Sequence, residues 1–149
     1  MKNLLNERIA NQLITRIEKL TPQSKSIWGQ MNSTEMLAHC NSCNKQILEE
    51  SRTTQKTVLK QYLLRILAIY LAPKFTKGRI TEEQHITKGK FGDDKFETQK
   101  ELFKTIIKKF PQNNKELTLT HPAFGNISTH QWGIAAYKHM DHHLRQFGV

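Results

Sequence analysis

Cysteine is almost absent from this chain, with Cys40 and Cys43 the only two among 149 residues. They could form one bridge at most, and an i, i+3 pair within a helix has poor disulfide geometry, so a disulfide-stapled scaffold is excluded and reduced thiols are expected. Proline (4) and glycine (7) are also scarce, which argues against a turn-rich all-β fold. No long apolar run is present. The most hydrophobic stretch, Val58 to Ala72, is about 15 residues interrupted by Lys60 and Arg65, short of the roughly 20 needed to span a bilayer. Met1 to Arg8 carries charges too early to hold a secretory apolar core, so a cytoplasmic protein with no membrane partner is expected. Acidic residues are few as well: 13 Asp+Glu face 23 Lys+Arg, a net charge of +10. That balance attracts anions, nucleic acid or an anionic surface without naming any of them.

What the chain does have is helical periodicity. Its length fits one core, and neither a repeat nor an interdomain linker interrupts it, so residues 1–149 read as a single domain. Leu4, Leu5, Ile9, Leu13, Ile17 and Leu20 recur at spacings of three and four and end at Thr21-Pro22, which predicts a first amphipathic helix. Asn32 and Glu35 form a capping box that opens a second helix over about 33–51. A third segment, 55–72, is apolar around its whole circumference and is expected to be central. Asp93 and Asp94 can cap a fourth helix closed by Pro111, with Phe96, Leu102, Phe103, Ile106, Ile107 and Phe110 facing inward. Ser128 and Gln131 form a second capping box that opens a last helix running to Gln146. No stretch shows sustained alternation, so the fold class predicted is all-α, an up-and-down four-helix bundle with long connecting loops and no sheet. Between the third and fourth helices, residues 73–92 show no period and carry Lys74, Lys77, Arg79, Lys88 and Lys90, a candidate lid. Over 52–92 nine Lys/Arg face two Glu, so +7 of the +10 is concentrated there.

Five of the seven histidines lie in the last 29 residues. His139-x-x-x-His143 places two imidazoles about 40° apart on one helical face, one turn from each other, which is ligand spacing. Trp132, Ala135, Ala136 and Gln146 share that face, so the pair points into the apolar stripe, with small residues beneath it. On the second helix His39 lies at the edge of the Met36–Cys40–Cys43–Ile47 arc and could reach a site between helices. Three imidazoles would leave a position open for water or substrate, the form of a catalytic rather than a structural centre. Cys40-x-x-Cys43 is read as core packing, because redox chemistry wants its first thiol at a helix N-terminus. His142 is read as a neighbour of the ligands, and Asp141 as partner to a surface cation or cap of a neighbouring helix. His121 is a candidate pocket residue, and His85 and His130 are expected to be solvated.

Trp28-Gly29-Gln30-Met31-Asn32-Ser33-Thr34-Glu35-Met36-Leu37-Ala38-His39 resembles the opening of the DinB/YfiT-like superfamily of metalloenzymes. His121-Pro122-Ala123-Phe124-Gly125, Gln131-Trp132-Gly133 and Tyr137 through Gly148 resemble the end of one uncharacterised branch of it. The resemblance implies a four-helix bundle binding a divalent metal, commonly nickel or zinc, through His39, His139 and His143. In related branches the metal serves transferases or isomerases that use a low-molecular-weight thiol such as bacillithiol, mycothiol or glutathione.

These readings lead to a metal-dependent enzyme, an S-transferase or hydrolase, that takes a small-molecule substrate, an anionic one if the basic loop recruits it. A noncatalytic or vestigial metal-binding bundle is the alternative. A nucleic-acid-binding module is less favoured, because the basic segment carries only Phe75 and Phe91 as aromatics outside its helix and no binding motif. Homodimerisation through helix faces stays open.

Overall fold

Helix caps set most of the observed boundaries. The structure, a computed structural model, describes residues 1–50, 55–78 and 81–149; Arg52 and Arg79, counted above among the basic residues, lie outside them. Helix α1 (Glu7–Ile17) starts at Asn6, whose side chain accepts from the Ile9 amide. The two predicted capping boxes form as expected. Asn32 and Glu35 exchange bonds at the start of α2 (Ser33–Glu49), and Ser128 and Gln131 do so at the start of α5 (Thr129–Gln146). Helix α4 (Phe96–Gln112) instead grows out of a 3-10 turn, Asp93–Lys95, with no side-chain cap, so the expected Asp93/Asp94 cap is not made. Pro111 sits inside the last turn of α4 rather than just beyond its end.

Helix α4 packs against α1 and α2, and α5 closes against the same two helices. The core between them contains Leu13 and Ile17 from α1, Met36 and Leu37 from α2, Phe103, Ile107 and Phe110 from α4, and Met140 and Leu144 from α5, all with at most 1% exposure. Each such side chain contributes roughly 1.5–3 kcal/mol relative to exposure. Leu102 is a correction: it is 42% exposed, because it falls about 40° beyond the edge of the α4 apolar arc. The N-terminal segment crosses α5 at Gly133, where the Leu4 amide donates to the Gly133 carbonyl at 3.0 Å. A Cβ at Gly133 would run into the Asn3 and Leu5 side chains, which a larger residue would have to displace to keep that crossing.

The third segment is not central. It forms α3 (Leu59–Arg65), which continues as a π-helix over Ile66–Leu71. Leu59, Leu63, Ile66, Leu67 and Leu71 are each about half exposed or more, and Ile69 alone is fully buried. An all-round apolar circumference exceeded what this short element could cover, since it rests on α5 along one side only. The attachment is partly polar beside buried Ile69. Lys138 of α5 donates Nζ protons to the carbonyls of Ala68, Ile69 and Ala72, each at 2.7 Å, and so satisfies acceptors that the helix end leaves open.

Two further expectations change. A minimal antiparallel pair, β1 (Thr120–His121) with β2 (Gly125–Asn126), interrupts the otherwise helical chain; strands of two residues are too short to show alternation. The described part of the 73–92 loop is fastened to the helices rather than free as a lid. Thr87 Oγ1 donates to the Glu35 carbonyl at 2.8 Å, the Gly89 amide donates to the Glu35 carboxylate, and Asn32 Nδ2 donates to the Phe91 carbonyl at 3.1 Å. Among the described residues no helix is long and apolar enough to cross a membrane.

Candidate metal centre

Three imidazoles from two helices meet at the floor of one cavity. His39 comes from the second turn of α2, and His139 and His143 come from successive turns of α5. His139 Nε2 lies 3.1 Å from His39 Nε2 and 3.1 Å from His143 Nε2. The His39 and His143 rings are 4.8 Å apart between centroids.

The outer nitrogens fix two of the three tautomers. His39 Nδ1 faces the His85 carbonyl at 2.9 Å and must donate to it. His143 Nδ1 donates to Gln146 Oε1 at 2.9 Å, while Gln146 Nε2 donates to the Trp28 carbonyl at 2.7 Å, which fixes the amide's orientation. Both Nε2 atoms therefore carry lone pairs aimed at His139 Nε2, and one imidazole proton can satisfy only one of them at a time. A cation satisfies all three lone pairs together. Nitrogens bound at about 2.1 Å to one ion, at angles between octahedral and tetrahedral, lie roughly 3.0–3.4 Å apart, so the 3.1 Å edges fit such a group.

Electrostatics keep the cluster neutral. Burial, with His39 beside it, pushes the His143 imidazole from 6.5 down to about 3. Burial, then His143 and His39, holds His139 well below its ordinary value, and burial lowers His39. Neutral imidazole is the ligating form.

Several side chains stand where the sequence reading did not put them. His85, expected in solvent, is 6% exposed; its ring bonds Ser42 Oγ and Gln46 Oε1 at 2.8 Å, and its carbonyl orients His39. Cys40 packs in the core as expected, but Cys43 does not. Its Sγ lies 3.8 Å from His39 Nε2, and the donor atoms of His39, Cys43 and His139 lie within 4.8 Å of one another. Burial, and then Glu82, pushes the Cys43 thiol up to about 12. Gln146, which the sequence places on the apolar stripe, also supports His143, and the i+3 spacing between them is the local signal of that contact. His142 stands beside the cluster, edge-on to His143 at 5.2 Å, with a hydrogen bond to the Phe75 backbone. His130 is exposed, and Asp141 pairs with Arg16 at 2.7 Å and Arg145 at 2.8 Å, both as expected.

The cavity above the imidazoles measures about 860 Å³. Trp28, Phe75, Phe124 and Trp132 give it apolar walls. His121 lines it too: it stacks on Phe124 at 4.0 Å and accepts the Ala123 and Phe124 amides at Nδ1. Lys88 lines the cavity and donates to Gln30, and Lys77 stands 3.9 Å over the ring of Trp28, one of the cavity walls.

A helical protein with a group of imidazoles and a thiol close enough to hold a metal ion is the class these features define. The chain belongs to the family described as Protein of unknown function (DUF1569), whose pattern matches residues 2–148. No curated protein and no solved structure matches it.

Proposed function

We propose that this protein is a metalloenzyme of the DinB/YfiT-like type, a four-helix bundle of α1, α2, α4 and α5 that binds one divalent ion through His39, His139 and His143. The observation that carries this reading is the convergence of three Nε2 atoms, two of them in fixed tautomers, at the floor of a cavity large enough for a small-molecule substrate. An all-imidazole set favours zinc or nickel over magnesium or calcium, which prefer oxygen. A bound ion would lower the pKa of a coordinated water or thiol and so supply a nucleophile near neutral pH.

The chain's own residues do the rest. His85 and Gln146 hold the imidazoles in register, the aromatic walls exclude water, and Lys77 and Lys88 give the cavity a charge suited to an anionic substrate or thiol cofactor. Thiol transfer or hydrolysis is the reaction class proposed.

Metal analysis of untagged protein tests the site. One zinc or nickel per chain is expected, lost in His143→Ala with the helical circular dichroism retained. His142→Ala should keep the ion and weaken binding by about tenfold at most, as a group beside the ligands does. If His143→Ala keeps the metal and His142→Ala loses it, the ligand pair is i, i+3 and the reading fails.

A further inference from the structure

The α5 pair His139-x-x-x-His143 has a counterpart on the facing helix: His39-x-x-x-Cys43 on α2 has the same i, i+4 spacing. On each helix that spacing places two donors one turn apart on one face, and the two faces meet across the same gap. Cys43 Sγ stands 3.8 Å from His39 Nε2 and within 4.8 Å of the His139 donor atom. A thiolate bound at about 2.3 Å and an imidazole bound at about 2.05 Å, roughly tetrahedral on one ion, would be about 3.6 Å apart, close to the 3.8 Å between Cys43 Sγ and His39 Nε2; the donors of His39, Cys43 and His139 form the group within 4.8 Å, and His143 Nε2 joins it through His139 at 3.1 Å. Cys43 also opens onto the same cavity as the three imidazoles, whereas its neighbour Cys40 is fully buried in the core and points elsewhere.

We propose that Cys43 Sγ is a fourth ligand, so that the resting site holds its ion through three imidazoles and one thiolate rather than through three imidazoles and a water. The proposal rests on the metal-site reading above. On coordination the thiol proton passes to solvent and the sulfur joins as thiolate, with no change of oxidation state. Two consequences follow. A sulfur ligand biases the site toward zinc, cobalt, nickel or copper and away from manganese and magnesium. It also fills the position a substrate would need, so substrate binding must displace Cys43 or expand the coordination to five.

Cobalt(II) is the probe, because a thiolate ligand gives it a sulfur-to-metal charge-transfer band in the near ultraviolet that imidazole and water do not. Wild-type protein loaded with one cobalt per chain is expected to show that band. Cys43→Ser should lose the band and still bind one cobalt, Cys40→Ser should keep it, and zinc-edge X-ray absorption of the wild type should show a sulfur neighbour at about 2.3 Å that Cys43→Ser lacks. Stoichiometric cobalt with no band in the wild type, or a band that survives Cys43→Ser, overturns the thiolate ligand and leaves the three-histidine reading standing. If the wild type fails to bind cobalt stoichiometrically, both fall. Should Cys43→Ser lose its helical signal, the absorption measurement on wild-type protein decides alone.

Discussion

At the scale of single residues the site depends on atoms that touch no ligand. Trp28 and Gly29 sit 118 and 117 positions before Gln146 in the chain, yet the Trp28 carbonyl is what orients the Gln146 amide, whose oxygen in turn holds His143. Gly29 adopts φ +82°, and a Cβ there would lie 2.4 Å from Gln146 Nε2. Glycine is therefore required twice at this position, once by the backbone and once by the close approach of the amide. Gln146→Ala removes the acceptor from His143 Nδ1 and frees the ring to flip or change tautomer. The expected result is a 10- to 100-fold loss of zinc affinity by competition titration, with little change in thermal stability of the metal-free protein. Gly29→Ala should produce a similar loss of affinity together with about 1 kcal/mol of strain. An unchanged zinc affinity in Gln146→Ala would show that His143 needs no such support.

At the scale of elements, what the sequence made legible depended on whether the signal was local. Helices α1, α2, α4 and α5 were readable because caps and apolar periods are written within a few residues: Asn32 with Glu35, Ser128 with Gln131, and Leu13 with Ile17. The place of the third segment was not readable, since a count of apolar residues says nothing about what is available to cover them. Its contacts come from far away in the chain: buried Ile69 enters the core, Lys138 binds its carbonyls from 70 positions away, and Gln131 and Pro122 bond Tyr70 and Gln61. Part of the candidate site was local too, as the i, i+4 pair His139 and His143 on α5; that His39 of α2 meets them is a tertiary fact, supplied in the sequence only by the resemblance, while Cys43 reads in the sequence as core packing. The His85 carbonyl left no trace at all, because a backbone acceptor has no residue preference. Lys138 is adjacent to His139 in sequence, and burial lowers its ammonium below the ordinary value while three carbonyls hold it. Lys138→Met keeps the apolar stem and deletes the three bonds. Amide exchange over 59–71 should then accelerate while α1, α2 and α4 stay protected, and global stability should fall by about 1–3 kcal/mol. Equal acceleration across all the helices would mean that Lys138 supports the core rather than the π-helix.

At the scale of the whole molecule, the buried imidazoles tie stability to pH and, in the metal-site reading, to the ion. The core from α1, α2, α4 and α5 is apolar and closed without the ion, so chelation should leave the helical signal intact, in contrast to domains that fold only around zinc. Restoring zinc to 100 times its dissociation constant should add about 2.7 kcal/mol, read as a rise in melting temperature. The pH dependence of the metal-free protein follows from the depressed histidines. In the unfolded chain an imidazole takes up its proton near 6.5, but in the fold His143 resists until about 3, and His39 and His139 are shifted the same way. Between those values the unfolded state holds more protons than the native one, so stability falls as the pH is lowered. Each such histidine costs about 1.4 kcal/mol per pH unit across its window. The metal-free protein should therefore hold constant stability above about pH 7 and lose it progressively below 6.5 in denaturant titrations. The folded imidazoles are already neutral over that range, so proton uptake by His143 opposes zinc binding only as the pH nears 3. A His143→Gln variant separates the causes: its acid limb should be shallower in the metal-free state, and added zinc should no longer shift it. If the acid limb of metal-free His143→Gln matches the wild type, His143 is not among the groups that titrate on unfolding.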